Sequence, residues 1–468
     1  MPSPGTPDHP LRVAVVGSGP AGFYAAEHLL KQTDVTVTVD MFDRLPTPYG
    51  LVRFGVAPDH EKIKNVTRVF DKVARRDSFR FFGNVDVGEH VTLDDLRRYY
   101  HQICFATGAP TDRRMGIPGE DLRGSHPATE FVAWFNGHPD FRDYEFDLSA
   151  ERVAVVGVGN VAVDVARILC RTHEELAQTD IADHALEVLR ESKVKEVYML
   201  GRRGPSQAAF TNVEVRELGE LPGADISVVP EEVRLDPLSQ AELDESDDRT
   251  TRKKVEIVQG FAQQKSEGKA RRLTIRFLVS PVELLGDEDG RVTSMRLVKN
   301  ALYRTESGSL RPKPTDQFED LPIDLVFRSV GYRGLPLPGL PFNDKWAVVR
   351  NVTGRVVQND TEEPVVGVYV TGWIKRGPTG VIGTNKPDAA ETVRAMLEDL
   401  AAGSVLQPNE PDPAAVAQFV RSRRPEVISY DDWLRLNDLE TTRGKEQGRP
   451  RVKFTSASDM LVALGKNE

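Results

Sequence analysis

The stretch Arg12–Gly22, RVAVVGSGPAG, joins four consecutive apolar residues to three glycines with the spacing G-x-G-x-x-G, and a helical pattern follows to Leu30. The apolar run predicts a buried parallel strand. Gly17 permits a tight turn, Gly19 lets a pyrophosphate approach the backbone, and Gly22 lets the helix pack closely on the strand. Since free N–H groups at a helix start bind phosphate, the stretch predicts a dinucleotide-binding turn.

We expect this first cofactor to contact the whole turn, which consists of Gly17, Ser18, Gly19, Pro20, Ala21 and Gly22. The next predicted strand, VTVTVDMFD, ends at Asp43, where an acid can accept a hydrogen bond from a ribose hydroxyl. The interval from Gly17 to Asp43 is 26 residues. This is longer than the usual ~20 residues, and residues 33–36 could supply the excess. A solvated acid at a strand end is the alternative interpretation.

The letters RVAVVG recur at Arg152–Gly157 and open a second turn, RVAVVGVGNVA, which has alanine at the third glycine position. That substitution is permitted in dinucleotide-binding turns. We expect a second cofactor to contact Gly157, Gly159, Asn160 and Val161. The following strand, VKEVYML, leads to Arg202 and Arg203 instead of an acid. Two guanidinium groups can bind a 2′-phosphate, so this turn predicts NADP, although such a pair can also be solvated surface charge.

The composition narrows the possible classes of protein. A chain of 468 residues is too long for one core, and a net charge of −10 argues against nucleic acid as a partner. No apolar run is long enough to cross a bilayer. Cys104 and Cys170 are far apart and form no CxxC motif, which excludes a zinc finger, a cysteine-ligated iron–sulfur cluster and a redox dithiol and fits a reducing cytoplasm. The opening MPSPGTPDHP predicts a disordered leader over residues 1–10.

These patterns predict an α/β fold with two Rossmann-like dinucleotide-binding domains, the second inserted into the first. We expect the FAD-binding domain at 11–115 and 331–468 and the NADP-binding domain at 116–330. The strand QICFATG and a strand–turn–helix segment near 364–400 should both belong to the first domain. The segment at about 230–315 contains VEIVQGF, LTIRFLV and VTSMRLV, whose alternation predicts antiparallel strands.

Longer motifs resemble one family. TPYGLVRFGVAPDHEKIKNV, GNVAVDVARIL, RRGPSQAAFTNVEVREL and GWIKRGPTGVIGTNK occur in this order and together resemble the adrenodoxin-reductase-type ferredoxin–NADP reductases, in particular their bacterial members. The resemblance implies the disulfide-reductase type of double Rossmann fold. It also implies further FAD contacts at Leu51, Arg53, Trp373, Gly380, Val381 and Ile382, and a further NADP contact at Glu214.

The implied activity is FAD-dependent NADPH:ferredoxin oxidoreduction. A hydride passes from NADPH to FAD N5, and two single electrons then pass to an iron–sulfur ferredoxin that serves a downstream redox enzyme such as a cytochrome P450. By resemblance, His60 and Glu214 lie near the contact of nicotinamide and flavin and act there as catalytic residues. The simpler alternatives are a structural histidine and a surface acid. The resemblance also implies a cytoplasmic monomer.

A ferredoxin is normally acidic, so its docking would need a local basic face on this acidic chain. Lys375 and Arg376, in the segment expected beside the flavin, are the main candidates. The run Arg249–Lys254 is a weaker one. Three other functions stay open: a quinone or dye reductase, a flavoprotein that senses NADPH without turnover, and the flavoprotein subunit of glutamate synthase. The last is disfavoured because the chain has no cysteine-rich iron–sulfur region.

Overall fold

A computed structural model describes residues 4–466 of the chain. The chain forms two compact units, and the second is inserted into the first. The first unit comprises the chain up to Val56, His60–Thr111, and the chain from Tyr332 onward. The inserted unit comprises Asp112–Gly331 together with the short segment Ala57–Asp59.

The strands are β1 Leu11–Val16, β2 Val37–Phe42, β3 Phe79–Phe82, β4 Gln102–Phe105, β5 Thr111–Asp112, β6 Ser125–Pro127, β7 Arg152–Val156, β8 Glu196–Leu200, β9 Ala224–Val228, β10 Arg271–Arg276, β11 Val279–Gly286, β12 Val292–Arg304, β13 Leu310–Pro322, β14 Leu325–Arg328, β15 Tyr332–Arg333, β16 Phe342–Asn343, β17 Val348–Val349, β18 Asn351–Val352, β19 Arg355–Val357 and β20 Pro364–Val370.

The α-helices are α1 Pro20–Leu30, α2 Leu51–Phe54, α3 Glu61–Lys64, α4 Thr67–Ala74, α5 Leu93–Tyr99, α6 Ala128–Phe135, α7 Asn160–Cys170, α8 His173–Leu176, α9 Asp183–Arg190, α10 Asn212–Leu218, α11 Pro230–Val233, α12 Pro237–Glu245, α13 Arg249–Phe261, α14 Trp373–Arg376, α15 Asn385–Ala401, α16 Pro413–Arg423, α17 Tyr430–Glu446 and α18 Ala457–Leu464. Among these described residues, no helix has both the length and the apolar character needed to cross a membrane.

The first unit contains a seven-stranded sheet in the order β18-β19-β20-β4-β1-β2-β3. Its strands from β20 to β3 are parallel, and β18 and β19 are added antiparallel at one edge. Successive residues of a strand face opposite sides of the sheet, so each face of β1 has its own core. Val13 and Val15 belong to the core that contains residues of α1, α15 and α17. Ala14 and Val16 belong to the core that contains residues of α5 and α16.

The inserted unit repeats this plan with a six-stranded parallel sheet in the order β6-β14-β7-β8-β10-β9. Val153 and Val155 of β7 belong to a core with residues of α6, α7 and α9, whereas Ala154 and Val156 face a smaller core beside a three-stranded antiparallel sheet, β11-β12-β13. The two parallel sheets and the insertion confirm the predicted fold class.

One predicted run of strands is wrong in part. VEIVQGF lies in α13, because Val255, Val258 and Phe261 are buried at helical spacing. Asp248 accepts hydrogen bonds from the N–H groups of Thr250 and Thr251 and so caps the start of that helix. LTIRFLV begins in the parallel strand β10, and within the described residues of this segment the antiparallel strands are β11, β12 and the start of β13.

The predicted disordered leader is also wrong for residues 5–9, which form a hydrogen-bonded turn. The Gly5 N–H donates to the His9 carbonyl oxygen at 2.7 Å, and the Thr36 N–H donates to the Gly5 carbonyl oxygen at 2.8 Å. The turn therefore packs on the chain just before β2. Residues 1–3 of that leader lie outside the described residues.

Candidate functional site

The first glycine turn joins β1 to α1, and each glycine has a different steric reason to be there. Gly17 has a φ of +107°, and a Cβ on it would lie 2.5 Å from the Ala106 carbonyl oxygen. A Cβ on Gly22 would lie 2.0 Å from the Gly17 carbonyl oxygen. A Cβ on Gly19, in contrast, would meet no protein atom within 4 Å. Gly17 and Gly22 are therefore required by packing, whereas Gly19 borders free space.

The start of α1 has no side-chain cap on its free N–H groups. Its N-cap is Gly19, and Pro20 follows at the first helical position. Ser18 is buried, and both its N–H and its hydroxyl donate to Asp43 at the end of β2. The uncapped N-terminus, with open space at Gly19, fits a pyrophosphate.

Asp43 is half-buried and bonded to the turn, which does not match a freely solvated acid. Its second carboxylate oxygen accepts a hydrogen bond from the Leu45 N–H at 2.9 Å. Burial raises the pKa of Asp43 above its ordinary value, and the hydrogen bonds from Ser18 and Leu45 act in the opposite direction.

The loop after Asp43 packs on the glycine turn. A Cβ on Gly50 would lie 3.0 Å from Gly19 Cα. Tyr49 has a φ of +87°, unusual for a side chain of its size. Its hydroxyl donates to the Asp71 carboxylate at 2.5 Å and lies 2.9 Å from the Tyr430 hydroxyl. This buried cluster fixes the loop.

The two flavin contacts predicted in this loop, Leu51 and Arg53, differ in their exposure to solvent. Leu51 is exposed. Arg53 is buried, and both of its terminal nitrogens donate to Glu440 of α17, at 2.9 and 2.5 Å. Only Nε of Arg53 has no acceptor within the described residues. The buried Thr47 hydroxyl also has none there, so these two atoms are free to bond with a cofactor.

The segment around α14 packs on the start of α1. Gly372 has a φ of +76°, and a Cβ on it would lie 2.5 Å from the Ala21 Cβ. Trp373 is half-buried; its indole N–H donates to the Thr379 carbonyl oxygen at 3.1 Å, and its ring packs on Tyr332.

The residues that follow α14 are largely exposed. Gly380 has a φ of +79°, and a Cβ there would clash with the Thr384 side chain. Val381 is exposed and Ile382 half-buried. An exposed apolar residue on a glycine-shaped turn is available to cover a flat aromatic ligand. The donors and surfaces of the first unit thus fit a flavin dinucleotide.

The expectation that Lys375 docks an acidic partner is wrong. Lys375 is buried, and its ammonium group contacts Asp388 at 3.2 Å and Glu391 at 2.6 Å. Arg376 is half-buried and donates to the Thr379 carbonyl oxygen and to Asn385 Oδ1. Both cations stabilise the turn after α14. A basic pair in the sequence did not reveal that α15 carries their acidic partners.

The second glycine turn, between β7 and α7, has the same geometry as the first. Gly157 has a φ of +139°, and a Cβ on it would lie 2.2 Å from the Ser329 carbonyl oxygen. Gly159 is the N-cap of α7, which has no side-chain cap, and a Cβ there would first meet Ala209 at 3.9 Å. Ala162, at the third glycine position, is fully buried. This turn also fits a pyrophosphate.

Two other predicted contacts lie at the start of α7. Asn160 uses its side-chain oxygen to accept a hydrogen bond from the Thr211 N–H at 2.9 Å, so it connects the turn to the start of α10. Val161 is half-buried.

Arg202 and Arg203 follow β8 directly. Arg202 is exposed and Arg203 half-buried, and among the described residues neither has a carboxylate oxygen within 4 Å. Burial lowers the pKa of Arg203, and the positive charges of Arg202 and Arg311 lower it further. An arginine pair without a carboxylate partner suits a phosphate ligand.

Glu214 lies in α10 and is buried, which excludes its interpretation as a surface acid. Its Oε2 lies 3.3 Å from Nη1 of Arg167, a fully buried residue of α7. Arg167 also forms ion pairs with Asp59 at 2.6 Å and with Asp164 at 2.7 Å. This network was not predicted from the sequence, although Asp164 and Arg167 share one face of α7 through their i, i+3 spacing.

His60 is the N-cap of α3 and is half-buried. Its carbonyl oxygen accepts the Ile63 N–H at 3.0 Å. The boundary between the two units falls between Asp59 and His60. The role of His60 stays a prediction.

Comparison with known proteins gives consistent matches. Residues 11–200 match the family described as pyridine nucleotide-disulphide oxidoreductase. The chain is 45% identical over 467 residues to the NADPH-ferredoxin reductase FprA of Mycobacterium tuberculosis, covering 97% of this chain and 100% of that protein. It is 42% identical over 463 residues to the mitochondrial NADPH:adrenodoxin oxidoreductase of Homo sapiens, covering 97% and 92%.

A solved structure agrees with these matches. Mycobacterium tuberculosis FprA in complex with NADPH superimposes with a TM-score of 0.92 at 44% identity, covering 97% of this chain and 100% of that one.

Proposed function

The chain belongs to the adrenodoxin-reductase-type family of NADPH–ferredoxin reductases, and on that premise we propose that it transfers electrons from NADPH through FAD to an iron–sulfur ferredoxin. The observation that carries the proposal is the pair of uncapped helix starts behind glycine turns. The second turn is followed by two arginines that have no carboxylate partner among the described residues. Two different dinucleotides are therefore expected, one in each unit.

We assign FAD to the first unit and NADP to the inserted unit. When bound, FAD would supply the redox chemistry, since a flavin is able to take up a hydride and release electrons one at a time. The chain binds and orients the two cofactors. The N–H groups at the start of α1 would hold the FAD pyrophosphate, Asp43 would bind a ribose, and Thr47, Trp373 and Val381 would contact the flavin.

In the inserted unit, the N–H groups at the start of α7 hold the NADP pyrophosphate, and Arg202 and Arg203 hold its 2′-phosphate. Glu214, fixed by Arg167, positions the nicotinamide half of the nucleotide. His60 balances charge near the same half while the hydride moves.

We propose an acidic ferredoxin as the electron acceptor, in line with the names of the relatives, and a cytoplasmic monomer as the working form. Two basic sites were predicted for ferredoxin docking. Lys375 of the first site is buried and cannot contact a partner. In the second site, the run at 249–254, internal contacts leave fewer basic side chains available for docking. Lys254 is buried and donates to the Ala208 carbonyl oxygen, and Lys253 pairs with Glu256 at 2.9 Å. Arg249 stays exposed in that run.

The test is to reduce the purified protein with NADPH and then to add a 2Fe–2S ferredoxin and cytochrome c. We expect rapid bleaching of the flavin absorbance and cytochrome reduction that requires ferredoxin. Turnover with quinones alone would identify a quinone reductase, and a flavin that NADPH does not bleach would identify a binding protein. Either result would overturn the proposal.

A further inference from the structure

A third arginine lies near the Arg202–Arg203 pair on a different element. Arg311 is an exposed residue at the second position of β13, close enough to Arg203 for its positive charge to lower the pKa of that residue. The sequence gives no sign of this proximity, because more than a hundred positions separate Arg311 from the pair.

Hydrogen bonds connect the arginine pair to β12 and to Leu278, the residue just before β11. The Leu278 N–H donates to the Arg203 carbonyl oxygen at 3.2 Å. Asn300, a buried residue of β12, donates its side-chain N–H to the Arg202 carbonyl oxygen at 3.0 Å. Three residues further along β12, Tyr303 pairs with Arg311. Three residues of a strand span about 10 Å, a distance that the long side chains of two arginines can cross.

The positive charges of the three arginines have no nearby carboxylates to neutralise them among the described residues. Arg202, Arg203 and Arg311 have no carboxylate oxygen within 4 Å among the described residues, and the acid that acts on Arg203 from further away is Glu242. Guanidinium groups that lie close together repel one another unless an anion neutralises their charge. A phosphate monoester carries about −1.5 to −2 charges at pH 7, so it is the anion that suits the cluster.

We propose that Arg311 completes the binding site for the 2′-phosphate of NADP and contributes to the preference for NADP over NAD. The proposal rests on the proposed function, in which the inserted unit binds NADP. The proposal adds Arg311 of the antiparallel sheet to the nucleotide site that β7, the second glycine turn and α7 form. The β12–β13 hairpin would then contribute to nucleotide binding.

The test compares binding of 2′,5′-ADP and of 5′-ADP, which lacks the 2′-phosphate, to the FAD-loaded protein by calorimetry. For Arg311→Gln we expect 2′,5′-ADP to bind about tenfold more weakly, as for the loss of one charge-assisted hydrogen bond, and 5′-ADP to bind as in the wild type. Arg311→Lys should recover part of the loss, since it restores the charge without the planar fork.

Arg304→Gln is the matched control, because Arg304 is an exposed arginine of the same hairpin. It pairs with Leu310, the residue before Arg311, so its side chain lies on the opposite face of the hairpin from that of Arg311. It should leave the affinity for both nucleotides unchanged. Arg202→Gln is the positive control, and it should weaken 2′,5′-ADP alone.

The possible outcomes separate the two proposals. If Arg202→Gln weakens 2′,5′-ADP and Arg311→Gln does not, the role of Arg311 is wrong and the NADP site stands. If Arg311→Gln weakens both nucleotides equally, or if Arg304→Gln has the same effect, the residue does not recognise the 2′-phosphate. If no variant changes 2′,5′-ADP binding, the proposed NADP site itself is wrong.

Discussion

The proposed role of His60 in flavin reduction can be tested directly by a single substitution. It begins α3, just after the loop that packs on the first glycine turn. For His60→Gln we expect flavin reduction by NADPH to slow about tenfold or more, because glutamine keeps a hydrogen-bonding group but loses the charge that an imidazole can carry. FAD content should not change. Stopped-flow absorbance measures the rate.

The control for this substitution is His90→Gln. His90 accepts a hydrogen bond from the Asp86 N–H in a local turn and should affect only stability. Flavin reduction at the wild-type rate in His60→Gln would rule out the proposed role.

Arg53 and Glu440 form an ion pair with almost no exposure to solvent. Breaking a buried pair leaves one charge without its partner and costs about 3–5 kcal/mol. For Glu440→Gln we therefore expect the free energy of unfolding to fall by about that amount at pH 7, measured by urea denaturation. Glu410→Gln breaks the half-exposed pair of Glu410 with Arg98 and should cost less than about 1 kcal/mol.

The pH dependence of this difference follows from the pKa of Glu440. Burial raises that pKa, but the charges of Arg53 and Arg451 outweigh burial and hold it below its ordinary value of 4.5. A depressed carboxylate pKa stabilises the fold above the ordinary value and loses that contribution as the pH falls through the folded value. The difference in free energy of unfolding between the wild type and Glu440→Gln should therefore become smaller as the pH falls below 4.5. A difference that does not depend on pH would contradict this origin.

At the scale of the element, the glycines of the first turn have two different roles: Gly22 is needed for packing, whereas Gly19 borders the space proposed for the pyrophosphate. Among the described residues, a Cβ at Gly19 would have no atom within 4 Å, whereas one at Gly22 would overlap a backbone oxygen at 2.0 Å. We expect Gly19→Ala to fold with normal circular dichroism but to lose most of its FAD, since the methyl group occupies space left for the pyrophosphate. Gly22→Ala should be destabilised by more than about 2 kcal/mol. Full FAD content in Gly19→Ala would contradict the assignment.

The strand–turn–helix elements were the most predictable part of the protein. Buried apolar runs and glycine spacing predicted β1, β7 and their turns, because one short stretch contains all the determinants. Side chains whose partners come from distant elements could not be predicted. Lys375 seemed exposed until α15 supplied Asp388, and VEIVQGF seemed a strand until its apolar residues packed as a helix. Arg167 and Arg311 were missed for the same reason.

At the scale of the whole molecule, the two units should bind their nucleotides separately. The proposed NADP contacts at α7 and at Arg202 and Arg203 all belong to the inserted unit. We expect Gly19→Ala protein without FAD to bind 2′,5′-ADP within about threefold of the wild-type affinity, measured by calorimetry. Adding Arg202→Gln to that variant should weaken this binding, as it does in the FAD-loaded protein. Loss of 2′,5′-ADP binding in Gly19→Ala alone would show that the NADP site requires bound FAD.

The Ser329 N–H donates to the Val156 carbonyl oxygen at 2.8 Å, just before Gly157, and this closure has a consequence for synthesis on the ribosome. The second turn begins at residue 157, but the backbone that closes it follows β14, near the end of the inserted unit. A nascent chain that stops before residue 329 therefore contains every residue of the glycine motif and lacks the surface that holds the motif in shape. Nucleotide binding by the inserted unit should appear abruptly, once β14 has left the exit tunnel, and not gradually with chain length.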